Sequence, residues 1–267
     1  VALVEDQMIQ GMVKAYPGYL RKLDCGNVVV RANKKEGKVA LISGGGSGHE
    51  PAHGGYVGCG MLDAAVAGAV FTSPTPDQIY EGIKAIATDA GVLMVVKNYT
   101  GDVMNFEMAA EMAGMEGITV KYVVTNDDVA VKDSLYTVGR RGVAGTVFVH
   151  KIAGAMAETG ASLDEVHAVA DQVADMLLAQ ILGDIDYEGS EVAVMINGAG
   201  ATPLMELFII NNRVSDVLAE KGIRVYKTFV GEYMTSIEMQ GFSISLLRLD
   251  DQLKELLDAP ADTPAWK

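Results

Sequence analysis

Apolar and polar positions along the chain switch between two periods. Val4, Met8, Met12 and Val13 fall on one helical face, which predicts a first helix ending before Pro17-Gly18. Residues 28–30 then read as a short strand, and residues 39–42 as a strand buried on both faces. Thr75 is placed to cap a helix that opens at Pro76. Residues 91–96 form a second continuous apolar strand, residues 103–112 a helix and residues 120–124 a third strand. Helices are predicted again at about 145–159 and from Ser162 onward. A second group begins with a strand at 191–196 and a long helix after Thr202-Pro203, with Leu204, Leu207, Ile210 and Val214 about one turn apart. Residues 223–230 and 242–249 complete a smaller sheet, with Gly241 as a bend. This alternation predicts an α/β fold of two domains, 1–170 and 171–267, each on a mixed, largely parallel sheet with flanking helices.

Composition narrows the function classes. With 267 residues, 49% of them hydrophobic, the chain can bury a large core. A net charge of −14 argues against nucleic-acid or anionic-membrane partners, because phosphates would be repelled over most of the surface. Cys25 and Cys59, far apart and each beside glycine, suggest neither a disulfide framework nor a zinc site, and a reducing cytoplasm fits best. No apolar run approaches the roughly 20 residues of a membrane span, and no signal-peptide pattern is seen. The fourteen methionines read as core filler rather than a binding surface.

The chemistry gathers where strands end. After residues 39–42 comes Ser43-Gly44-Gly45-Gly46-Ser47-Gly48-His49-Glu50-Pro51, whose glycines would let the backbone turn sharply and approach a small ligand. It is neither a dinucleotide fingerprint nor a Walker A loop: the third glycine of the first and the Lys-Ser/Thr of the second are lacking. His49 and Glu50 would stand outside the carboxyl end of a strand, where open α/β sheets bind ligands; the alternative is a plain glycine-rich turn with an exposed histidine. The next strand ends in Lys97, Asn98, Tyr99, Thr100 and Asp102. There Asp102 is either the N-cap of the following helix or a general base facing His49. Lys132, Asp133, Arg140 and Arg141 would orient a phosphorylated group in a cleft, or be solvated charges on an open surface. His53 follows His49 at i+4, but Pro51 and Gly54-Gly55 break the helix that would align them, so no metal site is expected. His150 reads as a core or surface histidine. The second glycine-rich strand end, 197–201, reads as a tight structural turn before it reads as a phosphate loop.

Several blocks together resemble one family. Residues 43–51, Phe71-Thr72-Ser73-Pro74-Thr75-Pro76, Lys97-Asn98-Tyr99-Thr100-Gly101-Asp102, 129–134, Gly200-Ala201-Thr202-Pro203-Leu204 and 241–247 are similar to the substrate-binding subunit of dihydroxyacetone kinase, in particular that of the bacterial enzyme dependent on the phosphotransferase system. The resemblance implies phosphoryl transfer to a terminal hydroxyl of dihydroxyacetone, in glycerol metabolism, by a homodimer. It implies substrate contacts at Gly46, Ser47, Gly48, His49, Lys97 and Asp102, with His49 and Asp102 catalytic. No nucleotide loop is visible in the chain, so ADP or ATP with Mg is expected on a partner subunit, recharged by a phosphocarrier of that system. The close at 263–267 without a linker favours this separate form over a fused one. A second reading is a non-catalytic paralogue that senses dihydroxyacetone and controls a transcription factor.

One family block is absent. Relatives carry several tens of residues after the helix that starts at Ser162, including a Gly-x-His-Gly-Glu motif whose histidine bonds covalently to substrate. Here Ala168-Val169-Ala170 runs directly into Asp171, and none of His49, His53, His150 and His167 has that context. The expectation is a junction of two ordered segments across an absent loop near 168–171, rather than a true deletion, which would leave the C-terminal domain incomplete.

Overall fold

The computed structural model describes residues 4–129, 139–178 and 189–267. Lys132 and Asp133 lie outside the described residues. Six strands form the first sheet: β1 (Leu20–Lys22), β2 (Val28–Arg31), β3 (Ala40–Ser47), β4 (Ala64–Val70), β5 (Val92–Lys97) and β6 (Val120–Thr125), in the order β1-β2-β4-β3-β5-β6. Its centre is parallel, β4 to β3 to β5 to β6, and its other edge is antiparallel. The second sheet has β7 (Glu191–Gly198) between β8 (Arg224–Gly231), parallel to it, and β9 (Phe242–Leu249), antiparallel.

Alternation along the central strands sorts the helices. Ala40, Ile42, Met94 and Val96 pack with α2 (Pro76–Ile86) and α3 (Thr100–Met115) on one face. Leu41, Leu93 and Val95 face the other way into the largest core. That core also takes Phe148 and Ile152 of α4 (Thr146–Glu158), Val166 and Val173 of α5 (Leu163–Leu178), and Met195 and Leu247 from the second sheet. Helix α4 is therefore buried along most of its length. The outer face of the second sheet is covered by α6 (Leu204–Glu220) through Leu207 and Leu218. Near the C-terminus a short helix, α7 (Asp251–Asp258), is capped by Asp250, whose carboxylate accepts from the Leu253 N–H. α1 (Val4–Ala15) and the Thr75–Gln78 capping box on α2 follow the pattern.

Two readings change, and one strand has no counterpart in the sequence pattern. The glycine stretch is not a loop: β3 runs on through Ser47 in parallel register with β4. A side chain at Gly44 would sit 2.5 Å from the Val66 carbonyl, and one at Gly46 2.6 Å from the Thr72 nitrogen. The glycines thus serve close strand packing, and the left-handed turn begins only at Gly48, with φ +107. β4 itself, Ala64-Ala65-Val66-Ala67-Gly68-Ala69-Val70, was hidden by its small residues, which the close approach of β3 requires. The junction expected near 168–171 and the division placed at 170/171 both lie on α5 (Leu163–Leu178), which bears on neither expectation. Leu163, Val166, Val169, Ala170, Val173 and Ala174 keep one buried face across it. The methionines are also not all core: Met104, Met108 and Met115 on α3 and Met205 on α6 are exposed.

Candidate functional site

β3 sits between β4 and β5, so the connections leaving it and returning past it put the carboxyl ends of β3 and β5 at a switch in strand order, where α/β sheets leave a crevice. His49 follows β3, and Lys97 closes β5. Both line a cleft of about 540 Å³. Tyr99, Asp127, Asp128 and Arg141 continue its wall, and Asn197, Thr235, Ser236 and residues 241–244 face it from the second sheet.

His49 is oriented by the second sheet: its Nδ1 lies 2.7 Å from the Thr235 carbonyl, which calls for the hydrogen on Nδ1 and leaves Nε2 a bare lone pair. The Thr235 N–H returns a bond to the His49 carbonyl at 3.2 Å, and the Thr235 hydroxyl donates to the Glu50 carbonyl at 2.7 Å. The ring of Phe71, a non-glycine residue at φ 54, packs against that of His49 with centroids 5.3 Å apart. Burial first, then the Lys97 charge, holds the His49 imidazole below its ordinary pKa, in the neutral form a proton acceptor needs.

Lys97 is 4% exposed and Asp102 3%. A side chain at Gly45 would meet Lys97 Nζ at 3.1 Å and Asp102 Oδ2 at 3.6 Å, so this glycine makes room for both groups. Burial lowers the Lys97 pKa against the pull of Asp102 and Asp127. Burial likewise raises that of Asp102, opposed by Lys97 and the Ser73 hydroxyl. Asp102 lies in the first turn of α3, whose N-cap is Tyr99, so it is not the cap. Its Oδ1 is buried and has no hydrogen-bond partner, an uncommon state for a carboxylate oxygen. Asp127 is pushed up to about 6 by burial, although its two oxygens accept from the Val143 and Gly145 N–H groups at 2.7 and 2.8 Å.

The expected site residues divide into two groups. His49 and Lys97 line the cleft, whereas Asp102 does not line it and meets the Lys97 side chain near Gly45. Gly46 and Ser47 instead line a separate small cavity of about 20 Å³ on the other side of the strand end, and the Ser47 hydroxyl donates to the Gly68 carbonyl at 2.7 Å. The Gly48 N–H donates to both Glu50 carboxylate oxygens at 3.1 Å. Arg141 is bound by Asp128, Nη2 to Oδ2 at 2.6 Å, and so neutralises a wall charge instead of waiting for a ligand. Thr235 and Phe71 were not singled out as site residues. Thr235 touches His49 across 186 residues of sequence, a distance no local pattern spans. Among the described residues no cluster of three or more His, Cys, Asp or Glu could hold a metal ion.

A parallel-stranded crevice with a neutral imidazole, a buried ammonium and a buried carboxylate defines a class: an α/β protein with a polar cleft suited to a small polar molecule. The chain belongs to the Dak1 domain family, whose model matches residues 10–179 and again 167–265. It is 46% identical to the PTS-dependent dihydroxyacetone kinase 1, dihydroxyacetone-binding subunit DhaK, of Listeria innocua, covering 98% of this chain and 97% of that protein. It is 44% identical to the corresponding subunit of Lactococcus lactis, covering 98% and 96%. A solved structure titled dihydroxyacetone kinase operon co-activator Dha-DhaQ superposes with a TM-score of 0.89 at 31% identity, covering 100% of this chain and 99% of that one. The Listeria alignment runs over 319 residues against 267 here, so that relative carries residues without a counterpart in this chain. The two family-model segments overlap at 167–179, across the junction inside α5.

Proposed function

We propose that the chain is the dihydroxyacetone-binding subunit of a dihydroxyacetone kinase, a phosphotransferase with an alcohol group as acceptor. The observation that carries this reading is the meeting of His49 and Lys97 in one cleft, with the Asp102 carboxylate, one oxygen of it unpartnered, against the Lys97 side chain near Gly45, in a Dak1 chain. Dihydroxyacetone offers two hydroxyls and a carbonyl and little apolar surface, which suits such a polar wall. Asp102 takes the hydroxyl proton as the phosphoryl group arrives, Lys97 holds the developing negative charge, and neutral His49 exchanges a proton through Nε2. Gly46, Ser47 and Gly48 contribute by keeping the strand end close-packed and its backbone in place. ADP or ATP with Mg belongs to a partner subunit recharged by a phosphotransferase-system phosphocarrier, and would supply the phosphoryl group. Two free, exposed cysteines support a cytoplasmic setting, and a role in glycerol metabolism goes with the proposed substrate. Exposed Leu204, Met205, Phe208 and Ile209 on α6 support self-association as a homodimer. Among the described residues no helix is long and apolar enough to cross a membrane.

The test is turnover of dihydroxyacetone to its phosphate by the full chain, reconstituted with a nucleotide-bearing kinase subunit. Saturable turnover is expected; binding without turnover would favour the second reading, a dihydroxyacetone sensor, which the co-activator structure makes specific.

A further inference from the structure

Beneath the glycine strand, on the face away from α2 and α3, two histidines with no part in the proposed chemistry meet across 97 residues of sequence. His53 follows the turn that carries His49, and His150 lies in α4; they are 7% and 0% exposed. His53 Nδ1 is 3.0 Å from His150 Nε2 and 3.3 Å from Ser43 Oγ. Ser43 fixes the order of the protons. Its hydroxyl hydrogen goes to the Val95 carbonyl at 2.7 Å, so Oγ can only accept, and the hydrogen it shares with His53 must sit on Nδ1. That N–H also faces His150 Nε2, which must then be bare, so neutral His150 carries its hydrogen on Nδ1. The remaining ring nitrogens, His53 Nε2 and His150 Nδ1, are buried without partners.

The pair bridges the two elements that hold the site. Thr235 grips the His49 turn from the second sheet, and His53, at the far end of that turn, ties it to Ser43 of β3 and His150 of α4. One turn before His150, the Thr146 hydroxyl lies 2.8 Å from that of Thr125, the residue paired with Lys97 across β5 and β6. A shift of α4 against the His49 turn would therefore move His49 relative to Lys97. We propose that His53 and His150 are positioning residues, a neutral, proton-ordered strut that holds His49 opposite Lys97. The groups facing the pair are Lys97 from β5, which acts on both rings, His49 from the turn, which acts on His53, and Tyr56, whose ring is 6.3 Å from His150. Burial and these neighbours oppose protonation of either ring.

Histidine 15N NMR on the full chain tests the proton order without reference to catalysis. Both rings should remain neutral with the hydrogen on Nδ1 from about pH 8 to about pH 6. An Nε2–H tautomer at His53, or an imidazolium in either ring, would overturn it. The positioning role rests on the proposed kinase reading and is tested by pairs of variants. His150→Gln places an amide oxygen where Nε2 accepts, and His53→Asn an amide N–H where Nδ1 donates, whereas His150→Leu and His53→Leu remove the bond. In the reconstituted assay kcat/KM for dihydroxyacetone should fall by up to about 10²-fold in the leucine variants, with recovery to within a few-fold in Gln and Asn. Unchanged turnover in a folded leucine variant, or equal loss in a leucine and amide pair, would contradict the strut. Where a leucine variant fails to fold, the amide variant decides alone: retained kcat/KM supports the strut and loss refutes it. A wild-type chain that never turns over dihydroxyacetone would sink the kinase reading while leaving the NMR result standing.

Discussion

The two sheets end alike and behave differently. Both β3 and β7 run into glycine-rich segments whose far sides border the same cleft, yet only the first carries ionisable groups. At the end of β7, Asn197 is 4% exposed and fully used. Its Oδ1 accepts from the Tyr233 and Met234 N–H groups at 2.8 and 2.9 Å, and its Nδ2 donates to the Met234 carbonyl at 2.8 Å and the Ser243 hydroxyl at 3.2 Å. At the ends of β3 and β5, Asp102 Oδ1 has no partner and the Lys97 ammonium is buried beside it. A buried polar group whose bonds are complete fixes a backbone. One left incomplete beside a cleft is held ready for something that arrives.

Asp102→Asn should break the comparison most visibly. The amide keeps the shape and cannot take a proton, so turnover should fall by about 10²- to 10⁴-fold with no loss of thermal stability, measured by steady-state kinetics and calorimetry. Near-normal turnover would remove Asp102 from the base role. Gly45→Ala and Gly44→Ala sharpen the contrast between neighbours. The first pushes a methyl towards Lys97 Nζ and should cost activity more than stability. The second meets the Val66 carbonyl and should cost about 1–3 kcal/mol of stability in denaturant unfolding. Asn197→Ala leaves two backbone N–H groups and a carbonyl unpaired and should lower stability by about 1–3 kcal/mol while changing kcat far less than Asp102→Asn. The last effect is read along pH and not at a single pH. The His150 pKa is about 3 in the fold, through burial and the Lys97 charge, against about 6.5 when unfolded. Its contribution is therefore complete above pH 6.5 and is lost as pH falls from there towards 3, at up to about 1.4 kcal/mol per pH unit. His150→Gln lacks that linkage, so the stability gap between wild type and variant should move in the variant's favour as acid is added.

The candidate site was legible in the sequence where chemistry stands next to a strand end. His49 after the apolar run 39–42 and Lys97 and Asp102 after 91–96 could be placed because a parallel strand delivers its last residues to the crevice. What the glycines do was not legible, since a turn and a close-packed strand use the same residue, and only the carbonyl of Val66 distinguishes them. β4 escaped because alanine and glycine carry little strand signal. The His53–His150 pair and the Thr235 contact escaped for another reason: their partners are set by tertiary packing over 97 and 186 residues. The junction inside α5 shows the converse, a local apolar stripe continuous where the family pattern is interrupted.

The central claim is that His49, Lys97 and Asp102 together form the dihydroxyacetone site, and a crystal structure of the chain with dihydroxyacetone tests it most directly. The account predicts the three-carbon ligand between His49 and Lys97, with a terminal hydroxyl within hydrogen-bond distance of the Asp102 carboxylate. Ligand seated instead against Asn197 and residues 241–244, away from Asp102, would contradict it.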